Sequence, residues 1–389
     1  MKYKELCGEK ISRLGMGNMR LPTVGEGMMA PIDEEKALEI IDYVYKSGVN
    51  YFDTAYMYHG GNSERFVGKA LKRYPRDSYF LASKMPDGPL SQGRTPQDVF
   101  EEQLERCGVD HFDFYLIHNV NERSIGVFTD PDKGVIPYLL EQRRIGRIKH
   151  LGFSSHSSPD TLRKFMDTYD FAEFVQIQLN YLDWEMQDAK QQYEIITSHG
   201  VPVWVMEPCR GGRLASLCPA ADQILKDAAP GHTVASWAFR WVSGLPNVGV
   251  VLSGMTMLEQ AKNNVATFEE GAALTDAEQD TLAQALKIFR SEVNVPCTAC
   301  HYCDGCPMGL DIPKLLAIYN QFKVEPGFTV MMALDAIDNA HKPASCIGCG
   351  ACAAKCPQNI EIPSVMADFA DAIEHMPPMG PPPAEEKKD

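Results

Sequence analysis

The sequence predicts an α/β fold: a closed (β/α)8 barrel followed by a smaller, mainly helical C-terminal domain. Three observations carry this expectation. Through residue 285, short apolar runs alternate with amphipathic segments, the pattern of parallel strands joined by helices. Eight such pairs in this length fit a sheet that closes on itself. Beyond residue 285 the alternation stops, and most of the chain's 12 cysteines crowd into two short runs. The expected organisation is therefore a barrel over 1–285, a cysteine-rich domain over 286–375, and a Pro-rich tail over 376–389 with the composition of a disordered end.

The eight candidate strands are Ile11–Gly17, Val49–Asp53, Tyr79–Ser83, Phe112–Ile117, Ile148–Phe153, Phe174–Ile177, Val201–Met206 and Val248–Leu252. The helices between them carry readable ends. Thr95 can cap a helix that has Pro96 at its first position, Val99, Gln103, Leu104 and Cys107 on one face, and Gly108 at its end. Asp33 with Gly48, and Pro159 with Asp160, frame two more. A charged helical stretch from Thr275 to Val295 joins the two domains.

The composition narrows the function. With 52 acidic against 37 basic residues the net charge is −15, which argues against coating a nucleic acid. No stretch approaches the roughly 20 apolar residues a membrane-spanning helix needs, and the N-terminus has no signal-like apolar core. A cytoplasmic protein acting on small molecules or on other proteins is expected.

Cys7, Cys107, Cys209 and Cys218 are scattered and read as small buried hydrophobes. The other cysteines are grouped. Cys297, Cys300, Cys303 and Cys306 are separated by two residues each and precede Pro307; Cys346, Cys349, Cys352 and Cys356 end with a three-residue gap before Pro357. The second run has the spacing by which bacterial ferredoxins hold 4Fe-4S clusters. Two four-thiolate zinc sites are the alternative, but zinc ligands usually fall in two pairs separated by a longer loop. The phrase Cys306-Pro-Met-Gly-Leu-Asp-Ile-Pro313 returns as Cys356-Pro-Gln-Asn-Ile-Glu-Ile-Pro363, each copy followed by apolar residues at helical spacing. The region resembles a two-cluster ferredoxin. In that family the fourth cysteine of each run serves the other cluster. The resemblance thus implies one cluster on Cys297, Cys300, Cys303 and Cys356, and a second on Cys346, Cys349, Cys352 and Cys306. The first run has one residue fewer before Cys306, so local ligation stays open.

In a parallel barrel, chemistry sits at the C-terminal ends of the strands. There the chain places Asp53 and Tyr58 after the second strand, Lys84 after the third and His118 after the fourth. With Ser12-Arg-Leu-Gly-Met-Gly17-Asn-Met-Arg-Leu21, Leu151-Gly-Phe-Ser154-Ser155 and Val175-Gln176 in the same order, the barrel resembles the aldo-keto reductase family. That resemblance implies an oxidoreductase that reduces a small-molecule aldehyde or ketone with NADPH or NADH. Tyr58 would donate the proton, Lys84 would make its phenol easier to ionise, Asp53 would hold Lys84, and His118 would orient the carbonyl.

The same resemblance implies nucleotide contacts from Gly17, Asn18 and Met19, and from Ser154, Ser155 and Gln176 around the nicotinamide carboxamide. It adds Met206, Glu207, Arg210 and Gly211 after the seventh strand, then Gly254, Thr256, Gln260 and Asn264 after the eighth. Met206 stands where many relatives carry an aromatic that stacks on the ring. Gly254 and Gln260 stand where many place the cations that hold the 2'-phosphate of NADP, so NADH is at least as well accommodated.

A hydride carries two electrons and a cluster accepts one, so the fusion leaves three readings. The clusters of a carbonyl reductase can be structural, sensory or a port to another protein. The barrel can instead hold a flavin, or meet a flavoprotein or ferredoxin partner, and exchange electrons through the clusters. It can also be a non-catalytic redox-sensing scaffold.

Overall fold

The structure, a computed structural model, describes residues 1–25, 30–293, 295, 297, 303–324, 326–356 and 358–376. It divides into two compact units at Leu282/Ala283. Cys300, Pro357 and the expected tail from residue 377 onward lie outside the described residues.

The first unit begins with a hairpin of β1 (Tyr3–Leu6) and β2 (Glu9–Ser12), paired antiparallel. Eight parallel strands follow: β3 (Leu14–Gly17), β4 (Tyr51–Asp53), β5 (Phe80–Met85), β6 (Phe112–Val120), β7 (Ile148–Ser155), β8 (Val175–Gln178), β9 (Val203–Met206) and β10 (Val248–Gly254). They follow one another around the ring, and β10 closes it by pairing with β3. One expectation needs correction. The run Ile11–Gly17 is two strands, because at Arg13 the backbone leaves its pairing with Lys2 and offers its carbonyl to Val251 of the barrel. A continuous apolar run carries no mark of such a change of partner.

Helices alternate with the strands and are capped by local chemistry. The Asp33 side chain accepts from the Lys36 N–H at the start of helix Glu34–Lys46. Thr95 and Asp98 cap each other reciprocally at helix Pro96–Cys107, which ends on Gly108 in the left-handed conformation. Ser158, one residue ahead of the expected Pro159, caps helix Pro159–Thr168. Helices Asn62–Leu71 and Pro96–Cys107 approach so closely at Gly68 that a β-carbon there would lie 2.1 Å from the Cys107 carbonyl oxygen.

Two apolar layers result. One lies between strands and helices; the other fills the barrel with Tyr51, Phe114, Leu116, Phe174, Trp204 and Val250, joined by Leu6 and Ile11 of the hairpin. The lower barrel is thus a packed plug, and the polar residues of the strands collect at the opposite, C-terminal end.

The second unit is mainly helical. Helices Ile312–Val324 and Ile362–Glu374 each begin at the Ile-Pro that ends one copy of the repeated phrase, and a third runs over Phe328–Asp335. Leu310, Ile312, Leu315 and Leu316 pack with their counterparts Ile360, Ile362 and Met366, with cysteines around them. Among the described residues no helix is long and apolar enough to cross a membrane.

Candidate active site and cluster ligands

Parallel pairing aligns the ends of neighbouring strands: Gly17 lies opposite Asp53, and Asp53 opposite Ala82. Asp53 ends β4, Lys84 lies two residues further along β5, and His118 lies near the end of β6. Lys84 is fully buried. Its Nζ is 2.5 Å from Asp53 Oδ1 and donates to the Thr54 carbonyl at 2.8 Å. It also lies 5.0 Å from the centroid of the Tyr58 ring, and the Tyr58 ring meets His118 edge-on at 6.0 Å.

Tyr58 reaches this position because the chain after β4 turns sharply. His59, Gly60 and Gly61 all have positive φ, and His59 Nε2 accepts from the Leu21 N–H, pinning the turn to the loop after β3. Nothing in the sequence marked His59 for this role.

Burial dominates the electrostatics. It pulls the Lys84 ammonium towards neutrality, but Asp53 and Tyr58 more than restore it, so its pKa lies above the ordinary lysine value. The Tyr58 phenol is pushed up by burial and drawn part of the way back by Lys84. His118 is pushed down to about 3, by burial first and then by Lys84 and His156. His156, unassigned by the sequence reading, is likewise held down to about 4 by burial. The mouth therefore carries two neutral imidazoles beside one ammonium.

A buried polar layer supports Lys84 from behind. Glu64 accepts from Ser83 Oγ and Gln103 Nε2, each at 2.6 Å, and pairs with Arg106 at 3.2 Å; Gln103 Nε2 also donates to the Lys84 carbonyl. This layer was missed because its members come from three elements far apart in sequence.

The expected nucleotide contacts divide into two groups. Gln176 presents a buried Oε1 with no hydrogen-bond partner, while its Nε2 donates to Met206 Sδ at 3.5 Å. A carboxamide N–H2 fits that open acceptor. Asn18 ties its Nδ2 to the Asp53 carbonyl at 2.9 Å and also leaves a buried Oδ1 unpartnered. Gly17 lies opposite Gly254 in the β3–β10 register, and Met19 is exposed at the rim.

Other side chains of the set are engaged within the fold. Ser154 Oγ accepts from the Asn119 N–H at 2.8 Å, and Ser155 Oγ donates to the Val120 carbonyl at 3.0 Å, both bracing the loop after β6. The Arg210 guanidinium is buried in an ion pair with Asp183 at 2.9 Å, in a turn where Glu207, Arg210 and Gly211 all have positive φ. Gln260 Oε1 accepts from the Thr256 and Met257 N–H groups at the start of helix Leu258–Glu270, and Asn264 Nδ2 donates to Ser253 Oγ. Sequence order cannot show that such polar side chains are taken up by caps and ion pairs. Nor could it show that Arg20 lies against Gly254: a β-carbon on Gly254 would sit 3.0 Å from the Arg20 Cβ. The aliphatic stem of Arg20, from the loop after β3, therefore packs on the turn at Gly254.

In the second unit one cavity is lined by Cys306, Cys346, Cys349 and Cys352, under an apolar wall that includes Leu310, Ile312, Ile362 and Met366. Four thiols in an apolar jacket fit a cubane cluster. Cys297, Cys303 and Cys356 pack against the same apolar core, with Cys297 close enough to Cys303 to perturb its thiol. Of the scattered cysteines, Cys107 and Cys218 are buried, whereas Cys7 and Cys209 are only half-buried, a departure from the expected uniform burial.

A closed parallel barrel with ionisable side chains gathered at its C-terminal mouth, joined to a helical unit that gathers cysteines, belongs to the class of barrel oxidoreductases fused to an iron-sulfur module. Comparison with known proteins makes this specific. Residues 13–287 match the aldo/keto reductase family and residues 296–361 match the 4Fe-4S dicluster domain. The NADH-specific methylglyoxal reductase of Escherichia coli (strain K12) is 24% identical over 316 residues, covering 69% of this chain and 93% of that relative. L-galactose dehydrogenase of Arabidopsis thaliana is 25% identical over 308 residues, covering 74% and 93%. The holo form of an aldo-keto reductase from Bacillus halodurans superposes with a TM-score of 0.60 at 27% identity, covering 73% of this chain and 96% of that one. The chain belongs to the aldo/keto reductase family and carries a 4Fe-4S dicluster domain C-terminal to its barrel in the sequence. It is an oxidoreductase, and its family and second domain imply a nicotinamide cofactor and iron-sulfur clusters.

Proposed function

We propose that the barrel reduces an aldehyde or ketone to the alcohol, with Tyr58, Lys84, Asp53 and His118 as its catalytic groups. The observation that carries this reading is Lys84, buried between the Asp53 carboxylate and the face of the Tyr58 ring. A bound NADH or NADPH supplies the hydride. Tyr58 delivers a proton to the carbonyl oxygen as negative charge builds there, and the Lys84 ammonium steadies the phenolate left behind. Asp53 fixes Lys84 so that no reorganisation is needed at that moment. Neutral His118 donates an N–H to the same oxygen and orients it without adding a charge.

Gln176 holds the carboxamide through its open Oε1, and Arg20 with the turn at Gly254 receives the phosphates. The relative from Escherichia coli, an NADH-specific methylglyoxal reductase, supports a small carbonyl substrate and the use of NADH.

The C-terminal domain holds two 4Fe-4S clusters, the second on Cys346, Cys349, Cys352 and Cys306, as their shared cavity supports. A second reading, in which the clusters pass electrons to or from an external ferredoxin or flavoprotein, is favoured by the exposure of Cys349 and Ile347 beside that cavity.

Two measurements on anaerobically purified protein test these readings. The absorbance spectrum should show broad cluster absorption, with flavin bands only if the barrel itself holds a flavin. A screen of aldehydes, ketones and quinones with NADH and with NADPH should then find carbonyl turnover. Chelatable zinc in place of iron and sulfide, or turnover of quinones alone, would overturn the leading account.

A further inference from the structure

At the end of the barrel opposite the mouth, the β1–β2 hairpin turns through Cys7 and Gly8. Both have positive φ, 54° and 79°. A two-residue turn of this kind favours Asn, Asp or Gly at its first central position, where an ordinary side chain meets the backbone. This chain puts a cysteine there. The strained turn directs the sulfur at two ligand-type side chains from other elements: His150 on β7 and Glu173, two residues before β8 begins. One ligand atom from each of the three lies within 4.8 Å of the other two.

The detail of the contacts fits a metal ion. His150 Nδ1 is 2.8 Å from Glu173 Oε2, and Cys7 Sγ is 3.6 Å from the Glu173 carbonyl oxygen. Donors around a tetrahedral zinc lie roughly 3.3 to 3.8 Å apart, so the imidazole and carboxylate need open by only about half an ångström to admit one. The imidazole is held flat by stacking on the buried Phe114 ring at 4.8 Å. Its other nitrogen, Nε2, lies 3.9 Å from Glu9 Oε1, beyond hydrogen-bond distance but near enough for that carboxylate to approach it when a metal holds Nδ1. Arg143 occupies Glu173 Oε1 at 3.2 Å and leaves Oε2 to the site.

We propose that Cys7 Sγ, His150 Nδ1 and Glu173 Oε2 form a site for one divalent transition-metal ion of the zinc class, with water as the fourth ligand. On binding, the Cys7 S–H bond is replaced by a sulfur–metal bond and its proton passes to solvent; no electrons move. Thiolate and carboxylate balance the two positive charges. The ion fastens the hairpin to the floor of the barrel and takes no part in carbonyl reduction.

The test uses the complete, cluster-loaded protein. Zinc is titrated in competition with a chromophoric chelator, and the sulfur-to-nitrogen/oxygen ratio around bound zinc is read by X-ray absorption at the zinc edge. One zinc per chain beyond the iron, with one sulfur and three lighter ligands, is expected. Cys7→Ser and His150→Gln should each weaken binding at least about tenfold, while Cys107→Ser should bind like the parent. Circular dichroism in chelator checks that the variants are folded, and the parent's absorption spectrum tests the site without any variant. Absence of bound zinc at micromolar concentration, a four-sulfur environment, or binding indifferent to Cys7→Ser would each overturn the proposal.

Discussion

Lys84 Nζ lies 2.5 Å from Asp53 Oδ1 with both side chains removed from solvent, so neither charge has water to fall back on. Removing one partner of such a pair costs far more than the pair contributes, because the remaining charge is stranded. Asp53→Asn should therefore destabilise the barrel by about 3 to 5 kcal/mol in denaturant unfolding. It should also lower kcat more than it raises the KM for the nucleotide.

The depressed pKa of His118, about 3, predicts its pH behaviour. Its folded value lies below the ordinary 6.5, so the imidazole stays neutral through neutral and mildly acid solution, and any stability tied to that neutrality is present above 6.5 and fades as the pH falls towards 3. The kcat/KM profile for carbonyl reduction should show no ionisation near pH 6.5 that disappears in His118→Gln.

Cys306 shares its cavity with Cys346, Cys349 and Cys352 although it belongs to the first sequence run. Cys306→Ser and Cys352→Ser should therefore remove the same cluster, judged by the electron paramagnetic resonance of the reduced protein, and Cys303→Ser the other. Local ligation predicts that Cys306→Ser behaves like Cys303→Ser. If carbonyl reduction survives in Cys352→Ser, the clusters are off its electron path.

Helix contact at Gly68 leaves no room for a methyl group: the obstacle is the Cys107 backbone, which no rotamer change can move. Gly68→Ala should cost about 1 to 3 kcal/mol or more by forcing two helices apart. Thermal unfolding monitored by circular dichroism measures it.

Much of this molecule could be read from its sequence because the relevant signals are local. A strand-helix alternation repeated eight times fixes a barrel, and cysteine spacing speaks directly of ligation. Asp53, Lys84 and His118 could be placed at one mouth because parallel strands all end there. What could not be read depends on partners distant in the chain. The change of pairing at Arg13 leaves the apolar run Ile11–Gly17 unbroken. Glu64, Gln103 and Ser83 meet only in the folded state, and nothing in the sequence signals that Asp183 pairs with Arg210. The contact of Arg20 with Gly254 was not legible because the two lie at opposite ends of the barrel's sequence, where closure of the ring brings them together.

The central claim is that Tyr58 delivers the proton to a carbonyl oxygen, and Tyr58→Phe tests it most directly. The variant keeps the ring that faces Lys84 and His118 and loses only the hydroxyl. Initial rates with the best aldehyde or ketone from the screen, measured anaerobically, should fall at least about a hundredfold. Nucleotide affinity, followed by fluorescence, should stay within about twofold of the parent. Undiminished carbonyl turnover by Tyr58→Phe would contradict the account.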